Sequence, residues 1–561
     1  MKKIFKTSEE NSKKGKLYNL LTKDVKEFNS IALSLICIGI LLGAGLLSYK
    51  ITNSYALFSS TLTGAKTIEV TAVGKSLDNS GANEPVLSEN MIPVYYDEEA
   101  EVWRKASKYN SQEEYKWYDY DNKMWANSVT VSSTNRSTYL SAAPGIEIPM
   151  DDILTMQVWV PRYKYKVFNY NADGTVTSSP QEIDITFEKG TATTGEITCS
   201  DSISGTDGEP SETCKLKSTN ATCTDGTCNG KTYTHPAFTF GTEELKGMWI
   251  GKFEISAPTD NTCYTSESSG NCNKTGITPL VKPDVMSYRY AQVGTFESNI
   301  MAMNDSGNKY GFALTDDTHM MKNMEWGAVA YLSHSKYGIN KEININNSES
   351  YYTGRSGGNI GGQTPINGTY TDQTSTEQYN SYGFYTYDGY LLNYNTNTKS
   401  STKDMTKIAS TTGNIYGIYD MSGGTWEYVM GNIVSNDGTT MMSGCSTYAN
   451  SRYTGIIYDS GSYRSYTGIA YPENKYLDKY SFGTSSTQKK RSKLGDAVKE
   501  VTATSSTGWY SDYGYVAFAS SPWFLRGGFY GSGASAGVMH SYYYYGEAYT
   551  GRSARVVVFA P

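Results

Sequence analysis

The sequence predicts a loop-rich α+β protein behind an N-terminal apolar helix. Three observations carry this. Tyr and Gly are in excess, with 49 and 54 copies, and charged residues make up only 19%; such a composition favours strands and turns over helices. Short runs of aromatic and β-branched residues recur around turn dipeptides. One uninterrupted apolar segment, Ile31–Tyr49 (IALSLICIGILLGAGLLSY), stands near the start of the 561-residue chain. That length suits two or three domains, or one heavily decorated one.

In chain order, residues 1–30 carry eight lysines against four acidic residues. The 19 uncharged residues 31–49 would make a helix about 28 Å long, close to a bilayer core. The lysine flank then predicts a cytoplasmic tail, a single-pass anchor in the cell membrane and an extracellular remainder. Ser54-Tyr55-Ala56 also fits a small-x-small cleavage pattern, so a removed signal peptide stands as the alternative. Residues 50–84 read as a polar spacer with one short strand at Thr67–Val73. Residues 85–149 read as a small β-rich module, from Met91–Tyr96 and Tyr115–Val131.

Residues 150–561 read as the main domain, with insertions at 169–233, 340–401 and 442–492. Six cysteines crowd residues 199–272. Proximity pairs Cys199 with Cys214, Cys223 with Cys228, and Cys263 with Cys272, one of fifteen connectivities. Zinc is the competing reading, but no CxxC pair and no nearby histidine supports it. The apolar spacing Met320, Met324, Ala328, Tyr331 predicts a helix within Asp316–Tyr337, capped by Thr315 or Asp316. Lys489–Lys493 (KKRSK) reads as a solvated loop. The net charge of −7 and the lack of a basic stripe argue against a nucleic-acid partner. No fixed-period repeat appears.

The last third holds the most informative motifs: Gly417–Asn432 (GIYDMSGGTWEYVMGN), Phe524–Tyr530 (FLRGGFY) and Arg552–Phe559 (RSARVVVF). Upstream stand Ile153–Phe168, Gly247–Ser256 (GMWIGKFEIS) and Met324–Leu332 (MEWGAVAYL). In this order they resemble the formylglycine-generating enzyme family (sulfatase-modifying factors), a branch of the C-type-lectin-like fold. The resemblance implies that Glu325, Trp326, Asp420, Trp426, Glu427, Arg526, Gly527, Gly528 and Arg555 are scaffold. It also implies two copper-binding cysteines after the Arg-Gly-Gly step. By offset those positions are Ser532 and Gly537, and no cysteine follows Cys445. The expectation is therefore a scaffold without that catalyst, and no cofactor. Structural calcium stays open from the resemblance, although no EF-hand spacing names ligands. His235, His319, His334 and His540 are too scattered for an iron cluster, and no GxSxG elbow is present.

Residues 529–553 (FYGSGASAGVMHSYYYYGEAYTGRS) hold six tyrosines among Gly, Ser and Ala, a composition like that of an antibody paratope. They are bracketed by the FLRGG and ARVVVF segments, and variable contacts on a rigid frame suit recognition. The layout resembles the variable proteins of diversity-generating retroelements, whose lectin-like domain carries a mutable segment near its end. Codons randomised at adenines never become Met, Trp, Lys, Gln or Glu. In this stretch only Met539 and Glu547 break that rule. The expected contacts are Phe529, Tyr530, Ser532, Ser535, Val538, His540, Tyr542, Tyr543, Tyr544, Tyr545, Tyr549 and Arg552. Strand alternation should expose only one of each neighbouring Tyr pair. A fixed binding surface and a plain Tyr-rich strand are the alternatives.

These observations together predict a non-enzymatic, membrane-anchored receptor or adhesin. Its ligand would be a protein or glycan on another cell or on a phage. A divergent enzyme of the same fold and a structural surface component are the other readings.

Overall fold

The seven-stranded antiparallel sheet that organises the protein is assembled from segments far apart in sequence. Its strand order is Asp317–Met320, Val556–Phe559, Gly247–Gly251, Ile153–Pro161, Asn127–Val131, Ile92–Asp97 and Val102–Lys105. This computed structural model describes residues 76–171, 179–357, 382–393, 398–438, 472–502 and 506–560. Within Ser76–Pro561 these form one unit. Ile153–Pro161 is a near-continuous apolar run because it lies mid-sheet and is covered on both faces. Trp159 and Trp249 are directly cross-strand, with ring centroids 5.2 Å apart. Within the expected 85–149 module, Asn127–Val131 pairs straight onto Ile153–Pro161 and Ile92–Asp97 pairs onto Asn127–Val131.

A second sheet, of five strands, contains the C-terminal motifs. Asp478–Tyr480, Trp426–Ile433, Trp523–Gly527 and Gly537–Tyr544 are neighbours in that order, and Arg552–Ser553 pairs with Trp426–Glu427. The chain then crosses from Ser553 into Val556–Phe559 of the larger sheet, so Arg555 lies between the two.

Helices are few and short. The expected helix begins later than the spacing suggested. Asp317–Met320 is a strand, paired along Val556–Phe559, and the helix is Asn323–Ser333. Lys322, rather than Thr315 or Asp316, takes the N-cap position, and Glu325 reaches back to accept its N–H at 2.7 Å. Every residue of this helix is buried, so its sequence lacks a polar face.

The single-pass membrane reading is corrected. Among the described residues no helix is long and apolar enough to cross a membrane. The longest, Asn323–Ser333, has 11 residues, about 16 Å of rise against about 30 Å of hydrocarbon. The described residues form an α+β body of mostly strands, with no spanning helix among them. The cell-membrane location and the cytoplasmic and extracellular sides rested on that helix and fall with it. Residues 31–49, the site Ser54–Ala56 and the strand expected at 67–73 lie outside the described residues, as do Cys37 and Cys445.

Lys489–Lys493 is also corrected. Lys489, Arg491 and Lys493 are buried, because the preceding and following loops fold over them. Arg491 donates to the Ser485 carbonyl at 2.9 Å and Lys493 is paired with Asp201. The cysteines join as Cys199–Cys214, Cys223–Cys228 and Cys263–Cys272.

Candidate binding face

The frame beneath the C-terminal segment is built from buried charges. Arg555 is fully buried. It forms an ion pair with Glu427 and donates to the carbonyls of Gly251 at 2.8 Å and Tyr419 at 3.0 Å, so it fastens both sheets together. Glu254 and Asp420 stand beside this pair. Asp420 accepts from Asn346 Nδ2 and the Gly354 N–H, both at 2.8 Å. Burial pushes Asp420 up to about 6 and Glu427 up to about 7, with Arg555 opposing both shifts. Burial likewise raises Glu254 well above the usual carboxylate range.

Lys252, next in sequence to Gly251, is also fully buried. Its ammonium donates to Asn127 Oδ1 at 2.8 Å, the Ile415 carbonyl at 2.6 Å and the Gly417 carbonyl at 2.9 Å. Trp103 and Tyr419 hold it between their rings at 5.2 and 5.3 Å.

Trp326 and Arg526 support the strand below the face. The Trp326 indole donates to the Val538 carbonyl at 2.7 Å, and the Arg526 guanidinium lies 5.7 Å from the Trp326 ring. Burial draws Arg526 down to about 10. Gly527 and Gly528 both have positive φ, 80° and 75°. A Cβ on Gly528 would meet Ala536 at 2.8 Å, which explains the glycine pair.

The surface above is aromatic. Phe529 lies 4.2 Å from Trp426, and Trp426 stacks on Tyr542 at 6.3 Å. Tyr542 stacks on Tyr543 at 4.5 Å, and Tyr544 on Tyr545 at 4.0 Å. Tyr530 extends the array to Tyr351, at 5.0 Å. All of these rings except the buried Tyr351 are partly exposed. The alternation expected for Tyr542–Tyr545 therefore does not hold, since all four are partly exposed. Gly537–Tyr544 ends its sheet, so rings from either face can lie across the free edge and stack on one another.

Several expected contacts sit elsewhere. Val538 and His540 are core residues, and burial draws His540 down to about 4. Ser532 and Ser535 close the turn after Phe529: the Phe529 N–H donates to Ser532 Oγ at 3.1 Å and Ser535 Oγ to the Ser532 carbonyl at 2.7 Å. Arg552 is buried beneath Tyr544 and Tyr549. Trp426, expected in the frame, is half-buried within the aromatic face.

Sequence reasoning missed Tyr513 and Tyr515. Tyr513 is 42% exposed and stacks 5.8 Å from Tyr542. Tyr515 packs edge-on against Tyr542 at 5.4 Å and Tyr543 at 5.7 Å. A bridge from Gly514 to Ser541 brings them there. The local signal was the sequence Tyr513-Gly-Tyr515 itself, outside the Arg-Gly-Gly bracket.

For metals, the residues do not fit the copper implied by the resemblance. Ser532 and Gly537 offer no thiolate, and all six cysteines among the described residues are in disulfides. The one His/Cys/Asp/Glu group close enough to share an ion, among the described residues, is Cys199, Glu212 and Cys214. Its two sulfurs are bonded to each other. The carboxylates of Glu427 and Asp420 are instead engaged by Arg555, Asn346 and Gly354.

No family model matches the chain, and no curated protein matches it significantly.

Proposed function

We propose that this protein is a non-enzymatic binding protein whose ligand docks on the aromatic face of Trp426, Phe529, Tyr530, Tyr513 and Tyr542–Tyr545. One observation carries the reading: partly exposed rings, stacked at 4.0–6.3 Å, lie directly on a buried hydrogen-bonded frame. Stacked rings have already lost much of their rotamer freedom, so little further order is needed on binding. Tyr and Trp are also the residues that dominate binding hot spots. We further propose a C-type-lectin-like frame of the formylglycine-generating type, with residues 529–553 as its contact segment. The motif resemblance supports this, as does the pairing of Trp426–Ile433 with Trp523–Gly527 and Arg552–Ser553. Diversification of that segment belongs to the same proposal. A near-copy of its codons beside a reverse transcriptase gene, differing only at adenines, would establish it.

The test is a displayed random-peptide library selected on the full chain. Clones should lose binding by about 1–3 kcal/mol when Tyr542 or Phe529 is changed to Ala. The melting temperature should stay within a few degrees, since both side chains are partly exposed. Should every clone bind Tyr542→Ala, Phe529→Ala and Trp426→Ala as well as the parent, the face is not a binding surface. Conversion of a sulfatase-derived cysteine peptide to formylglycine would overturn the non-enzymatic reading.

A further inference from the structure

Resting on the reading of this face as a binding surface, we infer that it takes an extended acidic segment of a partner protein, with a carboxylate seated on Arg552. Arg552 is only 4% exposed, and its Nε and Nη1 find no acceptor among the described residues. Buried N–H groups without acceptors are costly, more so on a charged group. The guanidinium lies 3.2 Å from the Tyr544 ring centroid, 4.5 Å from Tyr549 and 5.8 Å from Trp426. It is thus a caged cation within the aromatic face.

Two other basic groups border the face: Arg289, paired with Glu267 but with no acceptor for its Nε among the described residues, and Lys489, whose Nζ has none there either. Arg289 stacks 3.9 Å from Tyr351, and Lys489 lies 5.5 Å from Tyr515. Arg552 Nε and Nη1, beneath the rings and without acceptors among the described residues, supply the complement to an acidic ligand.

Access to Arg552 runs through Tyr549, which is 48% exposed and lies between Gly546 and Gly551. Swinging this ring aside uncovers the guanidinium fork, whose geometry suits a carboxylate. The free edge selects a peptide. Gly537–Tyr544 is the last strand of its sheet, and among the described residues the Gly514–Ser541 bridge is the only main-chain bridge on its outer side, with the Tyr515 and Phe518 rings packed beside Tyr543. An extended segment can add along Tyr542–Tyr544 by main-chain pairing, with its carboxylate reaching Arg552.

The experiment sequences the clones from the displayed peptide library and titrates synthetic copies against the full chain. Polygalacturonate serves as an acidic-glycan arm. Clones that depend on Tyr542 should be enriched in Asp and Glu. Their affinity should fall tenfold or more in Arg552→Met and severalfold in Arg552→Lys, which keeps the charge but loses the fork. Tyr549→Ala should retain or tighten binding. If Arg552→Met fails to fold, Arg552→Lys decides. Clones that depend on Tyr542 but lack acidic enrichment, or bind Arg552→Lys like the parent, overturn this inference and leave the binding face standing. Saturable, Arg552-dependent binding of polygalacturonate tighter than that of any peptide overturns the peptide assignment. Absence of Tyr542-dependent clones overturns this inference, and if no clone depends on Phe529 or Trp426 either, the underlying reading falls as well.

Discussion

Replacing Arg555 with methionine is expected to destabilise the protein by about 3–5 kcal/mol near pH 8, the range for breaking a buried pair. Methionine roughly preserves the volume, so the loss is electrostatic. It strands Glu427, with Glu254 and Asp420 nearby, where no water can solvate them. It also frees the carbonyls of Gly251 and Tyr419. Folded-state pKa values of Asp420 and Glu427 already lie above their unfolded values, near 6 and 7. Each group's cost is therefore absent below about pH 4 and grows as pH rises through the folded pKa. Losing Arg555 raises those values further, so the destabilisation should be smaller at pH 5 than at pH 8. Adding Glu427→Gln should recover part of the loss, because it removes the stranded charge. Urea melts of the four proteins in this double-mutant cycle measure each term. A single-variant loss below about 1 kcal/mol at pH 8 would refute the assigned role.

The second large effect centres on His319. Its Nδ1 lies 2.7 Å from Asp317 Oδ1 and its Nε2 lies 3.1 Å from Glu325 Oε1, and the Phe240 and Phe559 rings pack against the imidazole. Burial by itself lowers this imidazole, but Glu325 and Asp317 outweigh burial and hold it up to about 9. The folded value exceeds the unfolded one near 6.5, so the contribution is complete below pH 6.5 and disappears as pH rises through 9. A shift of this size corresponds to roughly 3 kcal/mol. Lys489, drawn down to about 7 by burial, acts in the opposite direction between pH 7 and 10. The His319 effect is accordingly read as the difference between wild type and His319→Gln in urea melts from pH 6 to pH 10. That difference should be largest near pH 6 and nearly gone by pH 10. A pH-independent difference would mean that His319 is neutral in the fold.

Strand-rich character was legible from local composition. The segments Trp426–Ile433, Trp523–Gly527 and Val556–Phe559 are apolar or β-branched enough to declare themselves. Gly527 and Gly528, expected as scaffold from the resemblance, take positive φ in the fold. The cysteine spacings predicted three small loops, because residues five to fifteen apart meet at little entropic cost.

Other features depended on partners distant in sequence. Asp317–Met320 carried a helical spacing but became a strand, because pairing with Val556–Phe559 outweighed local preference. Lys489 and Arg491 looked solvated, since a run of charges says nothing about which loops will cover it. In the face itself the sequence located the tyrosines and the framework motifs around them. Tertiary structure decided which rings are accessible. It buried Val538 and His540, lifted Trp426 into the face and brought Tyr513 and Tyr515 beside Tyr542. The physical reason is common to all these cases. Turn and strand preferences act over a few residues, whereas burial, charge state and ring stacking depend on contacts made only when distant segments meet.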